Sequence, residues 1–221
     1  MPNLSGSISL SLIVDRFILE IEKIEMIFDS CANHEAVPGY RFDYKPTEDG
    51  CLVSLWDAWN RFIRNLVITS ASGRAIGIDH VSYRPPIPRS EEEVLSDLAS
   101  NARGNNFGIY KGEPKWTNPL CLVSIVDFLD LPNKEFITIN VGCSDVLLSN
   151  ILVPNPVEEI RLCRNFVAHK GAHTLQLIEG EFGRVPFVSL TSHVRDLRLG
   201  GIKTFSEWKE CLIEISKLAS K

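Results

Sequence analysis

The 221-residue chain lacks most of the short patterns that mark common chemistries, and each gap narrows its function. It has no Cys-x-x-Cys pair. Cys31, Cys51, Cys121, Cys143, Cys163 and Cys211 are spread singly, which excludes a zinc ribbon built on paired thiolates. The dinucleotide fingerprint Gly-x-Gly-x-x-Gly and the P-loop are absent, so a nucleotide-hydrolysing motor has no support. Neither Ser72 nor Ser144 sits in a Gly-x-Ser-x-Gly elbow, which removes the α/β-hydrolase reading. No apolar run reaches the roughly 18 uncharged residues of a membrane span. The N-terminus has no basic n-region and no small-residue cleavage site, so a soluble cytoplasmic protein with reduced thiols is expected. No cofactor and no metal are expected.

The formal net charge of −5 excludes a protein that coats long nucleic acid through a broad basic face. A local phosphate site remains open. Arg161, Lys170, Arg184, Arg195 and Arg198 concentrate positive charge in the C-terminal third. With 44% hydrophobic residues the chain can build a substantial core. No linker or low-complexity tract interrupts it, so one domain over residues 1–221 is expected.

Helical periodicity dominates. Leu10, Ile13, Val14, Phe17, Ile21, Ile24 and Phe28 recur at three and four, predicting a helix over about 9–28. Leu55, Trp56, Trp59, Phe62, Ile63 and Leu66 predict a second over about 52–70, stopped by Gly73, its tryptophans serving as core anchors. Residues 33–50 read as loop. From Arg74 to Asn118 the chain reads as a loop-rich insertion, interrupted by a helix that Ser90 and Glu93 open as a capping box. Within it, Gly104 to Trp116 reads as a surface arm that gates a site or binds a partner, with Trp116 either stacking a base or packing. Asn118-Pro119 opens a helix through Leu129, and Phe136–Val141 has strand propensity without an evident partner strand. Asn155-Pro156-Val157-Glu158 opens a further helix that Lys170-Gly171 closes. Thr204 and Glu207 cap a last one. The fold class is all-α, a helical bundle with long irregular insertions.

The chemistry concentrates at Arg164-Asn165-Phe166-Val167-Ala168-His169-Lys170. Arginine carries a permanent charge and histidine titrates near neutrality, a pair suited to phosphodiester cleavage without a metal. Spacing alone is weak, because once four to six intervening residues are accepted Arg74 and His80, with five between them, match too, in a glycine-bearing segment that needs no chemistry. Five residues advance a helix by about 500 degrees, which leaves Arg164 and His169 about 140 degrees apart. They converge if the last turn loosens or a second chain completes the site. The structural alternative is that His169 and Lys170 favour the helix C-terminus while Arg164 pairs with Glu158 or Glu159.

Arg-Asn-Phe-Val-Ala-His-Lys, with a polar residue after the arginine and four residues before the histidine, resembles the signature of the HEPN (higher eukaryotes and prokaryotes nucleotide-binding) domains. The resemblance covers about Glu158 to Gly171. It implies a HEPN-like helical bundle and a metal-independent endoribonuclease acting as a homodimer. It also implies a toxin or defence effector, with an antitoxin or defence-system protein as partner. On this reading His169 moves the proton, Arg164 grips the phosphate, Asn165 orients either of them, and Lys170 and Arg161 bind RNA. The competing class is a catalytically inactive helical module that binds a nucleotide or a protein.

Other pairs carry less. His169 and His173 lie four apart, but Gly171 breaks the helix that zinc binding would need. Cys31 and His34 read as part of a surface loop. Arg61 to Val67 weakly echoes Arg161 to Val167, with Thr69 where His169 would fall.

Overall fold

The computed structural model describes residues 7–35, 45–142, 145–148, 150–169, 172–182, 190–197 and 201–221. It is mostly helical, with 65% helix in nine helices and little strand among the described residues. The chain packs as two compact units. One comprises Met1–Phe17, Trp59–Cys143 and Ile215–Lys221, the other Ile18–Ala58 and Ser144–Glu214.

Three helices supply a segment to each unit: α1 (Ser11–Glu35), α2 (Lys45–Ser72) and α9 (Thr204–Ala219). Both α1 and α2 run further than apolar periodicity alone predicts. Residues 33–35 and 45–50 belong to them and are not loop. Pro46 sits in the first turn of α2, where its missing N–H has no intrahelical partner to lose, so the helix tolerates it. The remainder of that expected loop, 36–44, lies outside the described residues.

In the first unit, the end of α2 provides the core. Phe17, Trp59 and Phe62 form an aromatic cluster with ring centroids 4.8 to 5.8 Å apart, and all three are buried. A small sheet lies in this unit: β1 (Ile8–Ser9) pairs in parallel with β2 (Ala75–Ile76), which pairs antiparallel with β3 (Ser82–Tyr83). The proline- and glycine-bearing stretch after α2 is thus non-helical, as expected, and forms a tight turn in which His80 adopts φ +64°. Gly77 is required there, since a Cβ would sit 2.6 Å from Asp79 Oδ1 and 2.7 Å from the Lys221 backbone carbon.

Two of the sequence caps form as read, whereas Thr204 is the first residue of the last helix and its hydroxyl donates to the Asp196 carbonyl. Ser90 Oγ accepts from the Glu93 N–H, and Glu93 accepts from the Ser90 N–H, opening α3 (Glu91–Ser100). Asn118 Oδ1 accepts from the Cys121 N–H, with Pro119 first in α4 (Pro119–Phe128). Between them, 104–116 is irregular but not a free arm. Phe107 is fully buried, Trp116 is buried, and the Trp116 indole N–H donates to Glu113. Packing, not base stacking, is the role of Trp116 in this structure.

The strand expected at Phe136–Val141 is instead part of α5 (Lys134–Val141), which packs on α4. Ile137 and Val141, four apart, are buried together, and the Thr138 hydroxyl donates to the Lys134 carbonyl. Burial of a helical pair outweighs β propensity in so short a segment.

In the second unit, β4 (Asp145–Leu148) and β5 (Ile151–Pro154) form an antiparallel hairpin. α6 (Pro156–His169) follows directly and packs on α7 (Ala172–Phe182). α8 (Leu190–Arg195) then leads towards α9. Neither the hairpin nor α7 and α8 is anticipated by the sequence pattern. Phe28 of α1 stacks on Phe205 of α9 at 4.3 Å and 8°. Ion pairs from Lys203 to Asp29, Lys209 to Glu25 and Arg195 to Glu48 accompany that stack.

Candidate active site on helix α6

α6 carries the motif, and its local sequence explains its setting. Pro156, Ile160 and Cys163 form an apolar stripe, joined by Leu162, and all are buried. Asn155 precedes the helix at φ +43°, and its own N–H is taken by Asp145 of β4. This left-handed backbone is not the extended conformation of an ordinary N-cap. Asparagine tolerates it better than most residues. Glu158 is also not held for capping, since both its oxygens accept from Arg161. That bidentate hydrogen bond raises the Arg161 pKa further, so Arg161 is fully charged but already engaged.

Arg164 is half-buried and has no carboxylate partner among the described residues. Its Nε is buried without a hydrogen bond, and Nη1 makes only a long contact of 3.4 Å to Asn165 Oδ1. Glu158 and Glu159 are the two acids that would neutralise Arg164 if its role were structural. Neither is bonded to it in a described contact: Glu158 holds Arg161, and Glu159 binds His193 and Trp208. A half-buried guanidinium without a carboxylate partner keeps its charge available to an anion at the edge that solvent reaches, the buried Nε excepted.

His169 is the last residue of α6 and is exposed. The helix is regular through it, so the last turn does not loosen and the angular offset from Arg164 persists. The structure therefore brings Arg164 and Asn165 together and leaves His169 on the same helix but a different face. Lys170, Gly171, Arg184 and Arg198 lie outside the described residues. His173 is exposed on α7, a separate helix from that of His169. No group of three metal-ligating side chains occurs among the described residues.

The other pairs resolve structurally. Arg74 donates from Nε to Ser82 Oγ at 2.7 Å across the first unit's sheet, and His80 sits exposed in the turn. Cys31 is buried on α1, not in a surface loop, and the His34 side chain lies outside those described. Cys31, Cys51, Cys121, Cys163 and Cys211 are buried thiols, and Cys143 falls outside the description. Burial, with Cys31 and Glu48 nearby, pushes the Cys51 thiol up to about 11, away from nucleophilic use.

Sequence reasoning missed one polar cluster. Glu159, 1% exposed, lies with Oε1 2.8 Å from His193 Nε2 and Oε2 2.9 Å from Trp208 Nε1. His193 and Trp208 are themselves buried, at 3% and 0% exposure. A signal existed: Glu159 occupies the apolar phase of α6, between Pro156 and Cys163, where a carboxylate needs partners. Those partners, on α8 and α9, are remote in sequence.

No protein-family model, curated protein or solved structure matches this chain. Its site has to be judged on its own chemistry.

Proposed function

We propose that this protein is a metal-independent endoribonuclease of the HEPN type, acting as a homodimer in the cytoplasm. The carrying observation is the state of Arg164: half-buried, with an unbonded Nε and no carboxylate partner among the described residues. Asn165 adjoins it and an exposed histidine ends the same helix.

Cleavage by the neighbouring 2'-hydroxyl needs a base for that hydroxyl, an acid for the departing 5'-oxygen and a cation for the phosphorane charge. Arg164 supplies the cation, with Asn165 orienting a phosphate oxygen or the imidazole. His169 handles the proton. Because α6 is regular through His169, a second copy related by a two-fold axis would provide the complementary histidine. Lys170 would steer RNA, and Arg161 would assist with a field reduced by Glu158. The net charge of −5 suits a local site rather than a long track, and a toxin or defence effector restrained by an antitoxin or defence-system partner fits that economy.

The test is direct. Incubated with RNA in excess chelator, the parent should release fragments ending in 2',3'-cyclic phosphate. Arg164→Ala and His169→Ala should each lower the rate by about 100-fold or more. His169 is exposed, so its substitution should leave folding intact, within about 0.5 kcal/mol. Cleavage at the parental rate by both variants refutes the site. A parent that dimerises yet never cleaves leaves the reading of a catalytically inactive module for a nucleotide or protein partner.

A further inference from the structure

Burying a carboxylate is unfavourable, and well-packed apolar groups often stabilise a fold as well or better. What a buried, hydrogen-bonded acid supplies is geometric: it permits one arrangement of its partners and penalises the rest. Glu159 has this position in the second unit. One oxygen binds the His193 ring nitrogen of α8 and the other the Trp208 N–H of α9, both within 2.9 Å. The His193 and Trp208 rings also face each other, with centroids 6.0 Å apart. Three elements are thus tied at one residue of the motif helix.

Glu159 lies one and a half turns before Arg164, about 7.5 Å along the axis, and about 15 Å before His169. A rotation of α6 by about 20 degrees would move a side-chain tip lying about 5 to 6 Å from the axis by about 2 Å. Displacements of about 1 Å can reduce a catalysed rate about 100-fold. We infer that Glu159 is the positioning residue of the α6 site, its carboxylate setting through His193 and Trp208 the rotation at which Arg164 and His169 are presented. Its catalytic consequence rests on the ribonuclease reading, whereas its geometric consequence does not.

Two readouts separate these. In the first, Glu159→Gln should keep the Trp208 contact at its carbonyl and turn its amide to His193, whose Nε2 accepts once the ring proton sits on Nδ1, and cleave within about threefold of the parent. The apolar replacement E159L/H193F/W208F should lose 10- to 100-fold in kcat with KM little changed. In the second, spin labels at the exposed positions Ala168→Cys and Glu210→Cys report the α6 to α9 distance without RNA. The apolar replacement should shift or broaden that distance by about 2 Å, and Glu159→Gln should not. Should the apolar replacement fail to fold, Trp208→Phe, which deletes one donor alone, should broaden the distribution in the same sense. An unaltered distance in the folded apolar replacement, or in Trp208→Phe where that replacement does not fold, overturns the inference. A silent parent in the first assay overturns the ribonuclease reading and leaves the distance measurement to decide the role of Glu159.

Discussion

Replacing Glu159 with leucine probes the buried cluster through stability. The substitution keeps a side chain of similar size and removes an acceptor that serves two donors at 2.8 and 2.9 Å. The Trp208 N–H, in a residue with no solvent exposure, would then face hydrocarbon, and His193 would lose this acceptor. Hydrogen bonds to a charged group contribute about 1.5 to 3 kcal/mol each, so losing both, with a donor left buried, costs on the order of 3 to 5 kcal/mol. Since about 1 kcal/mol shifts Tm by about 2 to 4 °C in a protein of this length, Glu159→Leu should melt about 6 to 20 °C below the parent. Removing the donors as well, in E159L/H193F/W208F, should recover most of that loss, because the penalty arises from stranded polar groups. Thermal unfolding followed by circular dichroism measures both. Melting of Glu159→Leu within about 2 °C of the parent would show that these contacts carry little net energy. A triple variant as unstable as the single one would locate the loss in packing rather than in polar satisfaction.

Two further outcomes follow from local structure. The raised pKa of Cys51 means that the folded protein holds its proton after the unfolded chain has begun to release one, so stability should be level below pH 9.0 and fall as pH rises towards about 11. Denaturation across that range should show the decline, and Cys51→Ala should lessen it, with the parts due to the raised Cys121 thiol and Tyr83 phenol remaining. Gly50 in α2 has nothing within 4 Å of an added Cβ, so Gly50→Ala should stabilise by about 0.5 to 1 kcal/mol. Gly77→Ala should instead destabilise by about 1 to 3 kcal/mol, since its Cβ would meet backbone at 2.7 Å. Urea titration of the two variants should give shifts of opposite sign.

Two helix starts were readable because their determinants are local: Ser90 exchanges hydrogen bonds with Glu93, and Asn118 accepts from the Cys121 N–H with Pro119 in the first turn. The long stripes of α1 and α2 were readable for a related reason, since a period near 3.6 survives whatever the helix packs against. Phe136–Val141 was misread because Phe, Ile, Thr and Val favour strands only where a neighbouring strand is present, and here α4 is the neighbour. The hairpin from Asp145 to Pro154 and the short α8 carry too few residues for periodicity to declare them.

At the candidate site the same division holds. Arg164, Asn165 and His169 stand close in sequence, and their angular offset follows from helix geometry, so the motif and its unfinished character were determined by the sequence alone. Whether Arg164 would be neutralised was not, because Glu158 and Glu159 both stand within two turns of it along the chain. Tertiary structure decided it by drawing Glu159 to His193 and Trp208, while Glu158 turned to Arg161. The physical reason is that a side chain's partners are chosen by distance in space. His193 and Trp208 lie 34 and 49 residues from Glu159 along the chain, beyond any spacing rule, yet within a hydrogen bond of it in the fold.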